Sequence, residues 1–580
     1  MSEPFDVVIA GGGMAGLTLA LQLGRAHPSA RIAVVERTTR PLPEACHKVG
    51  ESTVEIGARY LEHTLGLRGY LEERHLRKNG LRFFCGVPAA PVEERAELGP
   101  SERPRVPSFQ VDRGRLENDL RAMIEAETSV VLREGWGVRD VVLREEGPHE
   151  VVLVAPGGEV SSVEARWVID AMGRRRMIVK KLGLHTDPAH QASAAWFRVK
   201  GRLEIGELVD ASHERWHARD VDKNRWLSTV HLTGTGYWVW LIPLASGHWS
   251  VGAVVEHAAH EWREIAKPEA LRAWLAAHEP ALARRLEGAA FEDFLATKDY
   301  RYGASRLIGR NRWACVGESG VFVDPLYSPG ADFIGIGNCQ VAELIADDLR
   351  GAFDVERADE LDRFLRAFAD LTTHTTVLGS MVFGKPEALA GKLYWDFVQY
   401  WAFICQYFFQ EIHRLPAAEH RRFTEMLLSW IELNRRAQRV VRAWAEMAPH
   451  EPATERVNLP QFPSALADFH LDLMLRKSPD ETYRDMERDL ARAEEVVSEL
   501  VLRALRRAGP ERAAALAAKI ELPDIRLVID EQRLAADEAE PRVRRKMLPK
   551  AIRDMERAIG KSAAEDPGAP TLRQLLSLTG

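Results

Sequence analysis

The 580-residue sequence predicts an α/β protein in three parts: a parallel-sheet unit, a second part rich in β-strands and a large helical C-terminal region. Three observations support this fold class. A glycine-rich turn joins an apolar strand to a helix near the N-terminus, and apolar and polar residues alternate between about 190 and 297. Helical periodicity with abundant Ala, Leu, Arg and Glu follows residue 346.

The parallel-sheet unit begins with a strand, a turn and a helix. Residues 5–10 are apolar and rich in β-branched side chains, and Gly11-Gly12-Gly13-Met14-Ala15-Gly16 leads into an apolar-periodic segment. Gly11 permits the turn, Gly13 lets the backbone approach a pyrophosphate, and Gly16 lets the helix pack closely on the strand. Met14 and Ala15 lie at the helix N-terminus, where free N–H groups favour an anion.

A second strand, residues 31–35, ends at Glu36, twenty positions beyond Gly16. A carboxylate at this place can accept hydrogen bonds from ribose hydroxyls, and the adjacent Arg37 is included among the candidate cofactor-binding residues. A glycine-rich turn alone is a weak signal, because such turns also end ordinary structural elements. The combination of strand, turn, helix, strand and acid predicts a Rossmann-type dinucleotide-binding domain.

The predicted parts are interleaved along the chain. The dinucleotide-binding domain is assigned to residues 1–90, 110–185 and 298–345. A β-sheet domain on the substrate side is assigned to residues 91–109 and 190–297, and the helical region to residues 346–580. A helical region of this size exceeds what binding a dinucleotide requires.

Aromatic residues concentrate in the segment 394–409 of the helical region. Aromatic side chains around a whole helix indicate burial on more than one side, so the segment is interpreted as helix core, as a lid over a substrate pocket or as a dimer contact. Asp396, Gln399 and Gln406 interrupt the run, which makes it too polar for a membrane span.

Three further segments identify the dinucleotide. Gln110–Leu116, Trp167–Gly173, and Trp313–Ser319 with the following Asp324-Pro325 resemble the other signatures of flavoprotein monooxygenases of the aromatic-hydroxylase type. The resemblance implies FAD rather than NAD, bound by an FAD domain of that type. A second glycine-rich strand–turn–helix unit is not apparent in the sequence. We therefore expect reduced FAD to come from a separate flavin reductase, or from a nicotinamide that binds transiently.

The same resemblance assigns individual residues to FAD. In that family the basic residue of the first signature, here Arg113, lies along the cofactor, and the strand-end acid of the last signature contacts ribitol. This chain has Glu318, after Gly317, where the family usually shows Asp. Asp324 is assigned to the cofactor as well.

Three places narrow the resemblance to the flavin-dependent halogenases, which include tryptophan, phenol and pyrrole halogenases. Residues 47–53 match the family's glycine-glutamate-serine segment, and Ser52 in it is a candidate cofactor-binding residue. Leu76–Phe83 matches the stretch that carries the family's essential lysine, here Lys78. Trp238–Pro243 fits the pattern WxWxIP at every fixed position. Together the matches cover most of the first 340 residues.

The resemblance implies a division of labour among these residues. Reduced flavin and O2 convert chloride or bromide to hypohalous acid, which must reach an electron-rich carbon without escaping. Lys78 would hydrogen-bond this acid or form a haloamine, and Trp238 and Trp240 would fill the space where a hydroxylase holds its substrate. Taken alone, a lysine before Asn-Gly is usually a solvated turn residue, and two tryptophans on a strand usually pack in a core.

Two departures from the halogenase pattern bear on the chemistry. Tyr327 stands where tryptophan halogenases carry a glutamate near the reacting carbon, so a free indole handled in that way is not expected. Pro329 stands where those relatives direct a backbone N–H at halide, and proline has no N–H. Losing one donor weakens the binding of a partly buried anion by about 1–3 kcal/mol. Gly330 and Ala331 could compensate with their own amides. These two residues and Ser328 are the candidate halide-binding residues, and Gly330 and Ala331 are also candidate FAD-binding residues.

Asp332 has two interpretations. It caps the helix predicted to begin near Phe333, or its carboxylate faces the flavin and repels halide.

The main hypothesis is an FAD-dependent halogenase acting on an electron-rich aromatic, a phenol or pyrrole, either free or held on a carrier protein. One alternative is an aromatic monooxygenase or oxidase of the same fold, favoured by Tyr327 and Pro329. Another is a flavin-binding partner of a biosynthetic complex that has lost catalysis. The expected form is a monomer or homodimer.

Composition excludes several other classes. The net charge is −7 with mixed acidic and basic residues, which argues against general nucleic-acid binding. Five cysteines without a CxxC pair suit packed thiols in a reducing cytoplasm, and the N-terminus does not resemble a signal peptide. His257 and His260 share a helical spacing but lack a third ligand, so no metal site is expected.

Overall fold

The computed structural model describes residues 4–45, 48–100, 103–447, 464–539, 541–559 and 571–577, so Cys46 and His47 lie outside the described residues. Eighteen strands are present in the described part of the chain. They are β1 (Phe5–Ala10), β2 (Ile32–Glu36), β3 (Leu76–Arg77), β4 (Leu81–Cys85), β5 (Ala96–Leu98), β6 (Phe109–Gln110), β7 (Val131–Glu134), β8 (Gly137–Val142), β9 (His149–Val154), β10 (Val160–Asp170), β11 (His185–Thr186), β12 (Ala192–Lys200), β13 (Thr229–Gly234), β14 (Tyr237–Pro243), β15 (His248–Glu256), β16 (Asp293–Thr297), β17 (Gly303–Ala304) and β18 (Trp313–Cys315).

The helices precede, connect and follow these strands. They are α1 (Met14–Ala26), α2 (Glu55–Arg59), α3 (Arg68–Arg74), α4 (Arg113–Glu127), α5 (Met177–Lys181), α6 (Glu214–Ala218), α7 (Pro268–His278), α8 (Pro280–Arg285), α9 (Gly330–Leu349), α10 (Val355–Thr376), α11 (Pro386–Gln399), α12 (Gln406–Phe409), α13 (Ala417–Met447), α14 (Ser464–Asp472), α15 (Pro479–Ala508), α16 (Pro510–Lys519), α17 (Glu531–Glu538), α18 (Pro541–Met547), α19 (Lys550–Ala558) and α20 (Leu572–Leu576). Two segments, Tyr60–Thr64 and Tyr400–Cys405, are π-helical.

The first sheet has the order β7-β2-β1-β10-β9-β8, with β18 also paired to β10. Strands β7, β2, β1, β10 and β18 run parallel, and β8 and β9 complete the sheet as antiparallel strands. Ala10 is in register with Val35 on one side and Asp170 on the other. The residues that follow these strands therefore meet at one edge, which is where open parallel sheets bind their ligands.

The second sheet has the order β16-β12-β15-β14-β13-β4-β5 and is antiparallel except for the pair β13 and β4. The side chains of β14 alternate between two cores. Trp238, Trp240 and Ile242 pack in the large core shared with the first sheet, and Tyr237 and Val239 pack in a smaller core with Leu271 of α7 and Leu282 of α8. The two tryptophans therefore lie on the face of the second sheet opposite to α7 and α8.

Strand β4 lies in the second sheet, although the sequence analysis assigned residues up to 90 to the dinucleotide-binding domain. Its partner β13 begins at Thr229, so the pairing joins segments almost 150 residues apart and leaves no trace in a local pattern. Lys78 directly follows β3 and lies three residues before β4, so it is close in the chain to the part of the second sheet formed by β4 and β13.

The C-terminal region is helical, as predicted, and α13 packs against α10, α11, α15 and α16. The aromatic segment runs through the end of α11, the π-helical turn and α12, and most of it is buried, including Trp395, Trp401 and Tyr407. Among the helices of the described chain, none combines the length and the apolar character that crossing a bilayer would need.

Candidate active site

The glycine-rich turn forms a tight contact between β1, α1 and β10. Gly11 has a φ of +109°, and a Cβ at this residue would lie 2.4 Å from the Ala171 carbonyl oxygen. A Cβ at Gly16 would lie 2.0 Å from the Gly11 carbonyl oxygen. Gly13 precedes α1 without a side-chain cap, so the first N–H groups of the helix, from Met14 onward, have no side-chain acceptor at this cap. This arrangement fits a pyrophosphate.

Glu36 lies beside the glycine-rich turn, at the end of β2, and we call the space between them the dinucleotide groove. Its carboxylate accepts hydrogen bonds from the Gly12 amide at 2.7 Å and the Thr38 amide at 2.8 Å, and these bonds fix its position at the end of β2. Each carboxylate oxygen keeps a lone pair, so Glu36 can still accept from a ribose hydroxyl. The neighbouring Arg37 is exposed.

Two cations lie at the same groove. Arg113 donates to the Val49 carbonyl oxygen at 2.5 Å and to Glu117 at 2.7 Å, and Lys48 donates to the other oxygen of Glu117 at 2.6 Å. The Lys48 ammonium lies 3.6 Å from the place that a Cβ on Gly13 would occupy. Sequence reasoning found Arg113 but not Lys48 or Glu117. The spacing of Arg113 and Glu117, four residues apart on one helix, was the available signal.

Glu318 follows β18 at the same edge, and Gly317 packs against Ala15 there. The Glu318 carboxylate has no hydrogen-bond partner among the described residues; burial raises its pKa, and the charges of Arg113 and Arg174 oppose this increase. A carboxylate of this kind suits a hydroxyl-rich group such as ribitol. The glycine turn, Glu36, Arg113 and Glu318 together fit FAD.

Asp324 and Ser52 are engaged elsewhere. The Asp324 carboxylate accepts hydrogen bonds from Tyr300 at 2.6 Å and Arg301 at 2.6 Å, in a buried network that includes Glu256. Ser52 lies beside Lys78 and also contacts the Thr229 hydroxyl at 2.9 Å. The side-chain contacts of these two residues are therefore with other parts of the protein and not with the Rossmann edge.

Lys78 is buried, with 1 % of its surface exposed, and it lines a cavity of about 120 Å³. Its ammonium donates to the Ser52 hydroxyl at 2.8 Å and to the Thr53 carbonyl oxygen at 2.9 Å. A lysine ammonium has three donors, so one N–H is left without an acceptor among the described residues. Burial lowers the pKa of Lys78 to about 7, although Glu55 and Asp332 oppose this decrease.

The two carboxylates opposite Lys78 also lie on the cavity wall. Asp332 accepts a hydrogen bond from the Gly57 amide at 2.8 Å and one from the Tyr400 hydroxyl at 2.7 Å, and it does not cap α9. Burial raises the pKa of Asp332 to about 7. Burial also raises the pKa of Glu55, but the contact with His470 of α14 at 3.2 Å, a backbone hydrogen bond and the charge of Lys78 together outweigh this and leave the pKa below its usual value.

The ionisation of Lys78 gives the free energy of unfolding a predictable pH dependence. Its pKa is about 7 in the folded protein and about 10.4 in an unfolded chain. Between these values the unfolded chain holds a proton that the folded chain lacks, so the stability contributed by this group increases with pH, by up to about 1.4 kcal/mol per pH unit. Below pH 7 both states are protonated and the contribution is constant.

We therefore expect the thermal midpoint of the wild type, relative to that of Lys78→Met, to rise between pH 7 and pH 9. Scanning calorimetry of both proteins across this range measures the difference. Asp332 has a raised pKa, so its contribution to stability decreases with pH between about pH 4 and pH 7. Because both proteins contain Asp332, the comparison of the two isolates the effect of Lys78. Parallel pH profiles would show that Lys78 does not ionise in this window.

The segment before α9 carries the candidate halide-binding residues. Tyr327 and Ser328 have φ values of +66° and +60°, a conformation that costs free energy for residues with side chains. Pro329 precedes α9, and the amides of Gly330 and Ala331 have no acceptor among the described residues. Two adjacent free N–H groups at the start of a 20-residue helix fit a small anion.

Trp238 and Trp240 are neighbours on the inner face of the second sheet, with ring centroids 5.7 Å apart. The Trp240 indole donates to the Ser250 hydroxyl at 3.1 Å, and Gly252 leaves room for the ring, because a Cβ there would lie 2.1 Å from it. Trp238 lies 5.4 Å from His231, whose ring stacks at 4.4 Å on Phe83 of the cavity wall. Aromatic rings thus continue from the tryptophan pair to the cavity.

The helical region supplies a buried ionic cluster to the same cavity. Lys392 donates to Asp396 at 2.8 Å, to Gln438 at 2.8 Å and to the Thr375 carbonyl oxygen at 2.6 Å. Tyr327 donates its hydroxyl to Asp396 at 2.6 Å. Sequence reasoning treated Asp396 only as a polar interruption of the aromatic segment. Lys392 and Asp396 four residues apart within an apolar helix were the signal of a buried ion pair.

Comparison with known proteins agrees with this geometry. Residues 4–285 match the family model described as an FAD binding domain. Over 442 residues the chain is 24% identical to a flavin-dependent halogenase, chlA, of Dictyostelium discoideum, an alignment that spans 71% of this chain and 72% of that protein. Over 366 residues it is 26% identical to the 1H-pyrrole-2-carbonyl peptidyl-carrier-protein chlorinase of Pseudomonas fluorescens, spanning 58% of this chain and 74% of that protein.

Among solved structures, that of the halogenase PltM superimposes with a TM-score of 0.60 and covers 85% of this chain and 99% of its own. At 16% identity this likeness shows the fold alone. The fold class, the FAD cofactor and the resemblance to halogenases predicted from the sequence are confirmed. With a dinucleotide-binding edge, a WxWxIP strand and these relatives, the chain is similar to the flavin-dependent halogenases, and its residues 4–285 match an FAD binding domain.

Proposed function

We propose that this protein halogenates an electron-rich aromatic compound in the cavity beside Lys78. The observation that carries the proposal is the buried ammonium of Lys78, which lines a largely apolar cavity and keeps one N–H donor unused. Bound reduced FAD, with O2 and chloride or bromide, supplies the halogen as hypohalous acid. The residues of the chain then have to guide that acid and hold the acceptor ring.

Lys78 would hold the hypohalous acid by its free N–H. Ser52 and Thr53 accept the other two hydrogen bonds and so fix the direction of the third. Because the site is shielded from water, a hydrogen bond from a charged donor is stronger there than in solution. The electrophilic halogen would thus face the cavity, and the amine would not need to move.

Trp238 and Trp240 would keep organic molecules away from the flavin. Both side chains are almost completely buried, in the core that the first sheet shares with one face of the second. Ser328, Gly330 and Ala331 would receive the halide, since the last two offer the free amides that Pro329 lacks. An aromatic substrate would lie between Lys78 and the rings of Phe397, Tyr400 and Trp401.

The substrate is proposed to be a phenol or pyrrole, either free or attached to a carrier protein, and the reduced FAD is proposed to come from a separate flavin reductase. One relative is named as a chlorinase of a pyrrole held on a peptidyl carrier protein. A cytoplasmic location is also proposed, because Cys85, Cys315, Cys339 and Cys405 are buried free thiols, as is usual in a reducing compartment.

A halide-dependence assay tests the proposal. The protein, FAD, NADH, a flavin reductase and O2 are incubated with phenols, pyrroles or indoles, with chloride, with bromide, or without halide, and the products are identified by mass spectrometry. We expect mass shifts of one chlorine or bromine only when that halide is present. Oxygen incorporation that ignores halide would instead identify a monooxygenase, and FAD binding without coupled turnover would identify a non-catalytic partner.

A further inference from the structure

The polar groups on the cavity wall are mostly saturated by other protein groups. Glu55 contacts His470, and Asp332 accepts from Gly57 and Tyr400. The Asp396 carboxylate accepts hydrogen bonds from Tyr327, Lys392 and Gln438. A substrate that needs a hydrogen-bond acceptor in this cavity would have to compete for these carboxylates.

Gln399 differs from these groups. It is the last residue of α11, within the aromatic segment; only 3 % of its surface is exposed, and it lies on the cavity wall. Its Nε2 donates to the Thr375 hydroxyl at 2.8 Å, whereas its Oε1 has no hydrogen-bond partner among the described residues. A buried carbonyl oxygen without a partner is uncommon in folded proteins and is a feature that a ligand can complete.

The hydrogen-bond network fixes which end of the Gln399 amide is free. The Thr375 hydroxyl uses its single hydrogen to donate to the Leu371 carbonyl oxygen at 2.9 Å, so toward Gln399 it can only accept. The Asn434 amide nitrogen also donates to this hydroxyl, at 3.0 Å. The orientation of the Asn434 amide is itself fixed, because the Trp395 indole can only donate and does so to Asn434 Oδ1 at 2.8 Å. Gln399 must therefore direct its nitrogen to Thr375, which leaves the oxygen as the free acceptor.

The surroundings of Gln399 suit a planar ring. Phe397 and Trp401, two residues to either side, stack with centroids 4.9 Å apart, and both line the cavity with Tyr400. The apolar side chains of Leu371, Leu393 and Ile404 complete this part of the wall. A flat aromatic molecule would bury its faces here and satisfy the oxygen of Gln399 with a group at its edge.

We propose that Gln399 Oε1 accepts a hydrogen bond from the ring O–H or N–H of the aromatic substrate, and that this contact selects phenols and pyrroles over their methylated analogues. The inference rests on the proposed function and adds a residue that determines substrate class. A buried acceptor discriminates strongly against a ligand that lacks the donor, because that ligand leaves the acceptor unpaired and adds a methyl group that must also be accommodated. A phenol O–H and a pyrrole N–H can both donate to Gln399 Oε1, and binding measurements with each type of ligand show which of the two donors the site prefers.

Binding of phenol and anisole, and of pyrrole and N-methylpyrrole, is measured by ligand-observed NMR titration of the FAD-loaded protein, without halide or reductant. We expect the wild type to bind phenol, pyrrole or both at least about tenfold more tightly than the methylated partner. The pair that shows the preference identifies oxygen or nitrogen as the donor. No preference in either pair would overturn the inference.

Three variants locate the preference at Gln399. Gln399→Met removes the acceptor and should bring the ratio close to one, whereas Gln399→Glu, measured at a pH at which the buried carboxyl group is protonated, keeps a donor for Thr375 and an acceptor for the ligand and should retain the preference. Thr376→Val is the matched control: Thr376 also lines the cavity, but its hydroxyl already donates to the Thr372 carbonyl oxygen, so the ratio should not change. A Gln399→Met protein that still discriminates, or a Gln399→Glu protein that does not, would overturn the inference.

These measurements separate the two proposals. Because binding is recorded without turnover, discrimination that depends on Gln399 would support the subsite even if the halide-dependence assay gave no halogenated product. Halogenation with equal binding of phenol and anisole, and of pyrrole and N-methylpyrrole, would support the proposed function and reject the role of Gln399.

Discussion

Lys78→Met is expected to reduce halogenation by about 10²- to 10⁴-fold, the range by which a positioned proton-donating group accelerates a reaction. Methionine nearly matches the length of lysine but cannot donate the third hydrogen bond to hypohalous acid. FAD binding should be unchanged, because the lysine contacts Ser52 and Thr53 and not the glycine-rich turn. Consumption of O2 should continue, since the residues that hold FAD are intact.

The measurement combines three readouts on one sample: halogenated product by mass spectrometry, O2 uptake, and hypohalous acid trapped by a scavenger in the bulk solvent. In the variant, product should fall while trapped hypohalous acid rises. The control is Lys180→Met, because Lys180 is exposed on α5 and is not one of the residues that line the cavity. Halogenation by Lys78→Met at the wild-type rate would reject the role of Lys78, and joint loss of O2 uptake would place its effect on FAD instead.

Lys392→Met is expected to cause the largest loss of stability, about 3–5 kcal/mol. Lys392 has no exposed surface, and it neutralises an Asp396 carboxylate that is 4 % exposed. Removing the ammonium leaves a buried negative charge and an unpaired Thr375 carbonyl oxygen. Burial already lowers the pKa of Lys392, yet the paired carboxylate favours its charged form. The cost of the variant therefore comes mainly from the charge that is left behind.

The double variant Lys392→Met/Asp396→Leu should recover most of this loss, because replacing both partners of a buried ion pair by apolar residues is often neutral. Apparent thermal midpoints of the wild type and of the single and double variants, with Lys180→Met as a control, test this. A single variant as stable as the wild type would mean that Asp396 is protonated when Lys392 is absent. A double variant no better than the single one would assign the loss to packing.

Several features of the protein follow from short stretches of sequence. Gly11, Gly16 and Glu36 specify the dinucleotide edge because a strand, a tight turn and a helix constrain one another within 40 residues. The WxWxIP motif predicts that its two tryptophans lie on the same face of a sheet, since alternate residues of a strand share a face. The helical nature of the C-terminal region likewise followed from its periodicity.

The cavity was not predictable in this way. Glu55 and His470 lie 415 residues apart, and Asp332 contacts an amide 275 residues away. Asp332 had been interpreted as a helix cap or a group facing the flavin, whereas its partners are Gly57 and Tyr400. The local sequence around it contains neither partner, so no local pattern could have identified them.

The sequence by itself determined the strand–turn–helix edge, the FAD family and the identity of Lys78 as a candidate, because each depends on residues close together in the chain. Only the tertiary structure decided that Lys78 is buried with one free donor, that Lys392 pairs with Asp396 on the cavity wall, and that Gln399 has an unpaired oxygen. Burial and hydrogen-bond saturation depend on which distant segments pack together, and that is set by the fold as a whole.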